Sequence, residues 1–270
     1  MKAAFMMSLR RTSGIAAALA ASGCSSQAQG TGGQAQAGGS KTLTVSAAIS
    51  LKDAFTELGK AFEAQHPGVS VQFNFGASGD LESQIEGGAP VDVFAAASTK
   101  ETGELAQKGL IVKSNLTAPV GNDLVLAVPS GSAQHFSAFT DLTRTGGKVA
   151  IGNPDTVPAG RYARDTLMHY GIRTALKPRI VYGESVRQVL DYVARSEVDA
   201  GLVYTTDARA RASEVKVALT APAGSHAPVT YPMAVVSASA NRALAGQFLA
   251  FLESAAARPV FEKYGFKWLK

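Results

Sequence analysis

Short apolar runs alternate with amphipathic segments along the chain from residue 41 onward. Residues 43–48 form the first apolar run and predict a strand. Residues 51–65 follow with apolar side chains at helical spacing, and the His-Pro-Gly sequence at 66–68 ends this predicted helix. The face predicted to be buried contains Leu51, Ala54, Phe55, Leu58 and Phe62. The same change from strand to helix then recurs along most of the chain.

The recurrence predicts two α/β units. The first unit continues with strands at 69–75 and 91–97 and with a helix at about 79–86. A further helix in this unit passes through residue 105 and ends near residue 109. The second follows the apolar run at 124–132, with strands at 148–154, 179–183 and 199–205 and helices at 159–170 and 185–195. A strand at 231–239 and helical segments at 240–254 and 256–264 complete the chain. Such alternation is typical of parallel sheets covered by helices on both faces.

Four predicted helices begin directly after a strand with a small, hydroxyl-bearing or β-branched residue. These residues are Ser50, Ser78, Ala159 and Val186. Backbone N–H groups in the first turn of a helix have no intrahelical acceptor and lie at the positive end of the helix dipole. Ligands of open α/β sheets bind at the carboxyl ends of the strands, where these helices begin. Several such helix starts directed at one point predict a site for a small oxyanion held by neutral groups.

Each of these residues could also be explained by the local structure of a helix start, without a ligand. Ser50, Ser78 and Ser185 could be ordinary N-caps, worth about 1 kcal/mol each, and Pro158 before Ala159 is a common first helical residue. For any single serine, capping is favoured over ligand contact, so the group is more informative than its members. Arg161 could add positive charge near a bound anion or be a solvated helix arginine.

Charge and composition limit the classes of function. The 270 residues carry a formal net charge of +5. Three of the 26 basic residues precede residue 25 and no acidic residue does, so the remainder has 23 basic against 21 acidic groups. The basic residues are also scattered, so no nucleic-acid partner is expected. The four histidines are isolated, and no catalytic motif is complete. We therefore expect no protein ligands to a metal, no cofactor and no enzymatic activity.

The N-terminal segment predicts export. Residues 1–24 combine basic residues, a short apolar run and small residues before Cys24, the single cysteine. This resembles a bacterial lipoprotein signal, in which Cys24 becomes the lipidated first residue; the alternative is an ordinary cleaved signal with a chance cysteine. Residues 25–40 contain only Gly, Ser, Gln, Ala and Thr and predict a flexible tether. We expect a location in the periplasm or at the outer cell face, with membrane attachment only through lipid.

The motifs from residue 43 to residue 268 resemble the molybdate-binding protein of bacterial ABC transporters. The matching stretches, in the family's order, are VSAAISLKDAF, FGASGDLESQIEGGAPVDVFAAAS, GNDLVLAVP, VAIGNPDTVPAGRYA, ESVRQVL, AGLVYTTDA, YPMAVV and FEKYGF. The resemblance implies the two-lobed type II periplasmic-binding-protein fold, an α/β fold in which each lobe is a mainly parallel sheet flanked by helices. Lobe one would comprise residues 41–120 plus 232–270 and lobe two residues 121–231, with crossovers near 119–123 and 230–232.

The resemblance also implies a ligand and its contacts. Molybdate, and tungstate of nearly the same size, would be bound as an oxyanion with no protein ligand to the metal. Ser50 and Ser78 would donate through hydroxyl and backbone, Ala159 and Val186 through backbone N–H, and Tyr204 through its hydroxyl. Gly79, where relatives often carry Ala or Ser, would let the backbone approach the anion.

The sequence therefore predicts a monomeric extracytoplasmic protein that delivers molybdate to the permease of an ABC transporter. The nearest alternative is a binding protein of the same fold for another small anion such as sulfate or phosphonate. The effector-sensing domain of a transcription regulator is a further alternative, which the export signal and tether oppose. An enzyme on this fold has no acid, base or nucleophile cluster in its favour.

Overall fold

The computed structural model describes residues 41–270. The predicted signal segment at 1–24, with Cys24, and the predicted tether at 25–40 lie outside the described residues. Among residues 41–270, no helix is long and apolar enough to cross a bilayer.

The described residues contain twelve strands and nine α-helices. The strands are β1 (Lys41–Ala48), β2 (Val69–Gly76), β3 (Val93–Ala95), β4 (Val120–Asn122), β5 (Leu124–Pro129), β6 (Val149–Gly152), β7 (Ile180–Gly183), β8 (Ala200–Tyr204), β9 (Val215–Thr220), β10 (Val229–Thr230), β11 (Met233–Val235) and β12 (Lys267–Trp268). The helices are α1 (Lys52–Gln65), α2 (Ser78–Glu86), α3 (Thr99–Gln107), α4 (Pro158–His169), α5 (Arg173–Leu176), α6 (Val186–Ala194), α7 (Thr205–Ala210), α8 (Arg242–Leu252) and α9 (Arg258–Lys263).

Two sheets form the centres of two lobes, which confirms the predicted type II periplasmic-binding fold. One sheet has the order β11-β3-β1-β2, with β1 parallel to both neighbours and β11 antiparallel at one edge. The other has the order β7-β6-β8-β5-β9, in which β6 is parallel to β7 and β8, while β5 runs antiparallel to β8 and β9. Strand β8 and the second half of β1 are buried, because helices cover both faces of each sheet.

The first sheet is covered by helices whose aromatic residues interlock. Phe55 and Phe62 of α1 lie on the apolar face predicted from the sequence and are fully buried. Their rings meet the Phe248 ring of α8 edge-on, at centroid distances of 6.3 and 5.1 Å, a geometry that aromatic quadrupoles favour. Helix α9 adds Phe261, 6.3 Å from Phe55. The C-terminal helices therefore complete the core built around the N-terminal strands.

A third, small sheet has the order β10-β4-β12. Residues of β4 pair antiparallel with both β10 and β12, and the Tyr231 N–H donates to the Val120 carbonyl at 3.0 Å. These strands of two or three residues lie where the chain leaves and re-enters the first sheet, and the sequence pattern did not predict them. Their pairing joins segments more than 100 residues apart in sequence, which a local hydrophobic pattern cannot reveal.

Candidate ligand-binding site

The five predicted site residues lie at strand ends or helix starts. Ser50 is in a short 3-10 turn between β1 and α1, and Ser78 is the first residue of α2. Ala159 is the second residue of α4, Val186 is the first of α6, and Tyr204 ends β8 directly before α7. All five line one small cavity of about 10 Å³. The structure thus brings together every residue that the sequence proposed for the site.

Neither Ser50 nor Ser78 caps its helix through its side chain. The Ser78 hydroxyl oxygen instead accepts a hydrogen bond from the Ala97 N–H at 3.0 Å, and the Ser50 hydroxyl bonds the Tyr231 hydroxyl at 3.0 Å. Of the three serines considered as N-caps, only Ser185 is one, since its hydroxyl accepts from the Gln188 N–H at the start of α6. The hydroxyl protons of the two cavity serines are therefore not used for capping.

Helices α4 and α6 contribute backbone donors. Ala159 and Val186 lie in the first turns of these helices, where an α-helix supplies no acceptor for the N–H group. Both residues are buried, so water cannot readily serve as the acceptor. A bound oxyanion would satisfy these N–H groups and interact favourably with the positive ends of two helix dipoles.

The Tyr204 hydroxyl is the clearest sign of a ligand in the cavity. Tyr204 is only 1% exposed, and its hydroxyl has no hydrogen-bond partner among the described residues. Burial raises the pKa of Tyr204 well above its ordinary value, so the group remains a neutral O–H donor. A buried polar group without a partner costs about 1–3 kcal/mol, which a ligand oxygen at this point would recover.

The backbone of Tyr204 is hydrogen-bonded to a buried ion pair. The Tyr204 N–H donates to the Asp207 carboxylate at 3.2 Å. Asp207 is fully buried and accepts from Nε of Arg187 at 2.6 Å. Arg187 also donates to Asp53 of α1 at 2.5 Å. This one arginine therefore supports the Tyr204 junction and connects α6 with the helix that follows Ser50.

Arg161 is not directed at the cavity, and it is not a solvated arginine either. Its guanidinium donates to the carboxylate of Glu101, which is fully buried, and to the Ser98 hydroxyl at 3.1 Å. The interpretation of Arg161 as a solvated helix arginine is therefore wrong, because its side chain is mostly buried and paired with a carboxylate 60 residues earlier in the chain. Arg161 joins α4 of one lobe to α3 of the other.

Gly79 likewise has a different role from the one predicted. Its N–H donates to the Thr156 carbonyl at 3.0 Å, so its backbone approaches the opposite lobe and not the anion. A Cβ atom at this position would lie 2.9 Å from the Thr156 Cα and carbonyl oxygen. Glycine is therefore needed here for close contact between the two lobes.

The walls of the cavity are uncharged. Besides the five predicted residues, they consist of Ala48, Ile49, Gly76, Ala77, Ala97, Val157 and Pro158. Within residues 41–270, no group of three or more His, Cys, Asp or Glu residues could hold a metal ion. The cavity thus offers hydroxyl and backbone donors but no ion-pair partner, which suits a small, fully deprotonated anion.

Glu82, on the same helix as Ser78, gives the fold a pH dependence. Burial, and then the neighbouring Glu104 carboxylate, raises the pKa of Glu82 from about 4.5 to about 7. Below pH 4.5 the carboxyl group is neutral in both the folded and unfolded states. As pH rises towards 7, the unfolded chain ionises first, and stability is lost.

Glu82→Gln should therefore be more stable than the unaltered protein above pH 7, by about 1–2 kcal/mol, with little difference near pH 4.5. Urea denaturation at the two pH values measures the effect. Glu86→Gln, at an exposed position on the same helix, is the matched control and should retain the pH profile of the unaltered protein. If Glu82→Gln kept the pH dependence of stability of the unaltered protein, Glu82 would not be the source of that dependence.

Two α/β lobes around a donor-lined cavity at the ends of their strands define a two-lobed binding protein. A family model described as a bacterial extracellular solute-binding protein matches residues 43–267, and the chain belongs to this family. Family membership makes the protein a solute-binding protein of transport, not an enzyme, and implies a location outside the cytoplasm.

Individual relatives are similar over nearly the whole chain. The molybdate-binding protein ModA of Haemophilus influenzae is 39% identical over 84% of this chain and 90% of its own length. YvgL of Bacillus subtilis, provisionally named an ABC transporter substrate-binding lipoprotein, is 39% identical over 93% of this chain and 95% of its own. The structure of the periplasmic molybdate-binding protein of Azotobacter vinelandii aligns with a TM-score of 0.74, at 25% identity, over 84% of this chain and all of that one.

Sequence reasoning missed the residues behind the cavity. Asn122 and Tyr231 hydrogen-bond to each other 109 positions apart, and the sequence placed them only in the predicted crossover segments and, for Tyr231, at the start of a strand. Helix α7 was also missed, because its six residues are largely polar. Asp207, three residues after Tyr204, was the available signal, since an acidic residue at this position often accepts from the N-cap N–H.

Proposed function

We propose that this protein captures molybdate, and tungstate, between its two lobes outside the cytoplasm and delivers it to the permease of an ABC transporter. The observation that carries the proposal is the buried, unpartnered Tyr204 hydroxyl in a cavity that also contains Ser50 and Ser78. The molybdate-binding relatives support the choice of anion.

Neutral donors suit capture followed by release. A buried dianion without compensation would be very unfavourable, but several charge-assisted hydrogen bonds can replace its hydration. Because no residue of opposite charge lines the cavity, release breaks no ion pair. Sulfate is smaller than molybdate and would leave some donors poorly satisfied, so size should favour molybdate.

We also propose how the chain is divided and attached. Residues 41–120 plus 232–270 would form lobe one and residues 121–231 lobe two, with β4 and β10 as the crossover strands. The cavity that Ser50 and Ser78 share with the helix starts of α4 and α6 would then lie between the two lobes. Cys24 would carry a lipid anchor, and incorporation of a labelled fatty acid in the unaltered protein but not in Cys24→Ala tests this attachment.

Isothermal titration calorimetry with molybdate, tungstate, sulfate and phosphate tests the ligand. We expect tight one-to-one binding of molybdate and tungstate and much weaker binding of sulfate. Absence of molybdate binding, or a preference for sulfate or a phosphonate, would contradict the proposal in favour of another anion on the same fold. Stimulation of permease-coupled ATP hydrolysis by the loaded protein tests delivery.

Ser78→Ala should weaken molybdate binding by about 1–3 kcal/mol, because a charged acceptor would be left short of one donor. The backbone donor at position 78 remains, so binding should not be abolished. Ser83→Ala on the same helix is the control, since its hydroxyl bonds the Gly79 carbonyl away from the cavity. An affinity equal to that of the control would remove the Ser78 hydroxyl from the site.

A further inference from the structure

A buried ion pair joins the two lobes beside the cavity without lining it. The Arg161 guanidinium of α4 donates to the carboxylate of Glu101 in α3, and also to the Ser98 hydroxyl at 3.1 Å. The Glu101 side chain is fully buried, and that of Arg161 is 13% exposed. Neither residue is part of the cavity wall. The pair therefore acts, if it acts on the ligand at all, through the relative position of the lobes.

The carboxylate of this pair is held in place by its own lobe. Ser98 is the N-cap of α3, and its hydroxyl accepts from the Lys100 N–H and donates to Glu101 at 2.5 Å. Glu101 lies in the first turn of α3, where the positive end of the helix dipole favours a carboxylate. Ala97, directly before Ser98, lines the cavity, and its N–H holds the Ser78 oxygen. Glu101 thus has a fixed position next to one wall of the cavity.

The guanidinium of the pair comes from the opposite wall. Arg161 lies in the first turn of α4, two residues after Ala159, whose backbone N–H is a proposed ligand donor. Within its own lobe, the Arg161 side chain contacts the Pro154 carbonyl at a distance of 3.5 Å. In the described part of the chain, Glu101 is the one carboxylate that pairs with it. Separation of the lobes would therefore remove the counter-charge of Arg161.

Arg187, the other arginine that joins the lobes, differs in this respect. It pairs with Asp53 across the lobes, but also with Asp207, which follows it in α7 of its own lobe. Arg187 would remain paired with Asp207 if the lobes separated. The pair of Arg161 with Glu101 is thus the one whose existence depends on the lobes being together.

We propose that Arg161 and Glu101 form a closure latch, an ion pair that is made when the lobes close and that slows release of the bound anion. The inference rests on the proposed function, in which the anion is held between the lobes. When the lobes are apart, water hydrates both charges. Closure removes this water, and the pairing compensates for its loss. Without the arginine, Glu101 would be buried with no counter-charge in the closed state alone.

Arg161→Leu tests the latch. Molybdate should bind roughly 10–100-fold more weakly, mainly through faster dissociation, because truncating one partner of a buried charge pair acts chiefly on the dissociation rate. Titration calorimetry measures the affinity, and a chase of labelled molybdate with excess unlabelled molybdate measures the dissociation rate. Since the latch does not touch the ligand, tungstate should lose affinity by the same factor. Unchanged affinity and dissociation would overturn the proposal.

The stability of the ligand-free protein separates a latch from a structural ion pair. Urea denaturation of ligand-free Arg161→Leu should match that of the unaltered protein, because the pair is not made while the lobes are apart. A loss of ligand-free stability as large as the loss of binding free energy would assign Arg161 a structural role and overturn the latch. Arg164→Leu on the same helix is the matched control. Arg164 pairs with the adjacent Asp165 at 2.9 Å, and its loss should leave affinity and dissociation unchanged.

Glu101→Gln completes the test. Added to Arg161→Leu, it removes the buried charge and should recover most of the lost affinity, and absence of recovery would contradict the latch. Alone, it should accelerate dissociation less than Arg161→Leu does, and it serves as the second variant if Arg161→Leu does not fold. If the unaltered protein binds sulfate or phosphate and not molybdate, the proposed ligand is wrong. The same chase with that labelled anion then decides on the latch separately.

Discussion

Tyr204→Phe is expected to weaken molybdate binding by roughly tenfold to a hundredfold, within the range of about 1.5–3 kcal/mol for a hydrogen bond to a charged group. The hydroxyl that is removed lines the cavity and has no hydrogen-bond partner among the described residues. Its favourable interaction would therefore be made only with the ligand. Titration calorimetry with molybdate measures the loss.

The same variant should be at least as stable as the unaltered protein when no ligand is present. Tyr204 is buried, and removing a polar atom that has no partner removes a desolvation cost. Urea denaturation of the ligand-free variant measures this stability. Opposite effects on affinity and stability would distinguish a ligand contact from a structural hydroxyl.

Tyr162→Phe is the matched control for Tyr204→Phe. Tyr162 is also buried, but its hydroxyl donates to the Ala97 carbonyl at 3.3 Å, so its removal should lower stability and affect affinity less. Unchanged molybdate affinity in Tyr204→Phe would contradict the assignment of Tyr204 to the ligand. Equal losses of affinity in both variants would assign the effect to a general disturbance of the core.

Arg187→Leu should lower the free energy of unfolding by about 3–5 kcal/mol, because removing one partner of a buried ion pair leaves the other charge uncompensated. The charge in question is that of Asp207, which is fully buried and accepts from Arg187 Nε at 2.6 Å. Burial raises the pKa of Asp207, and Arg187 opposes this shift. Without the arginine the pKa rises further, so the destabilisation should diminish as pH falls and Asp207 takes up a proton.

Urea denaturation measures the effect, and Asp207→Asn in the Arg187→Leu background should restore part of the stability by removing the buried charge. Arg211→Leu is the control, since Arg211 pairs with the exposed carboxylates of Asp191 and Glu214 and should cost less than about 1 kcal/mol. A loss in Arg187→Leu no larger than in the control would show that the buried pair contributes little.

The sequence was informative wherever function depends on local pattern. A strand followed by an amphipathic helix can be recognised within 20 residues, and this pattern located Ser50, Ser78, Ala159 and Val186. Tyr204 came only from the resemblance to a family, because the short helix that begins after it has no apolar stripe. Local patterns thus located helix starts but could not decide which hydroxyls were free.

The remaining features depend on partners distant in sequence. Arg161 has the pattern of a helix-surface residue, and its buried partner Glu101 lies on a different helix. The Asn122 and Tyr231 pair joins segments 109 positions apart, and the small sheet contains strands of only two or three residues. Such contacts are formed by the tertiary fold, so no periodicity along the chain records them.

The close approach of Gly79 to Thr156 has a consequence for retargeting the site. Main-chain atoms meet there without an intervening side chain, and much of the cavity wall is alanine or glycine. No bulky side chain at this contact can be trimmed to admit a larger guest. Widening the gap between the lobes at this contact would therefore require the main chains of Gly79 and Thr156 to move apart, which no shortening of a side chain there can achieve.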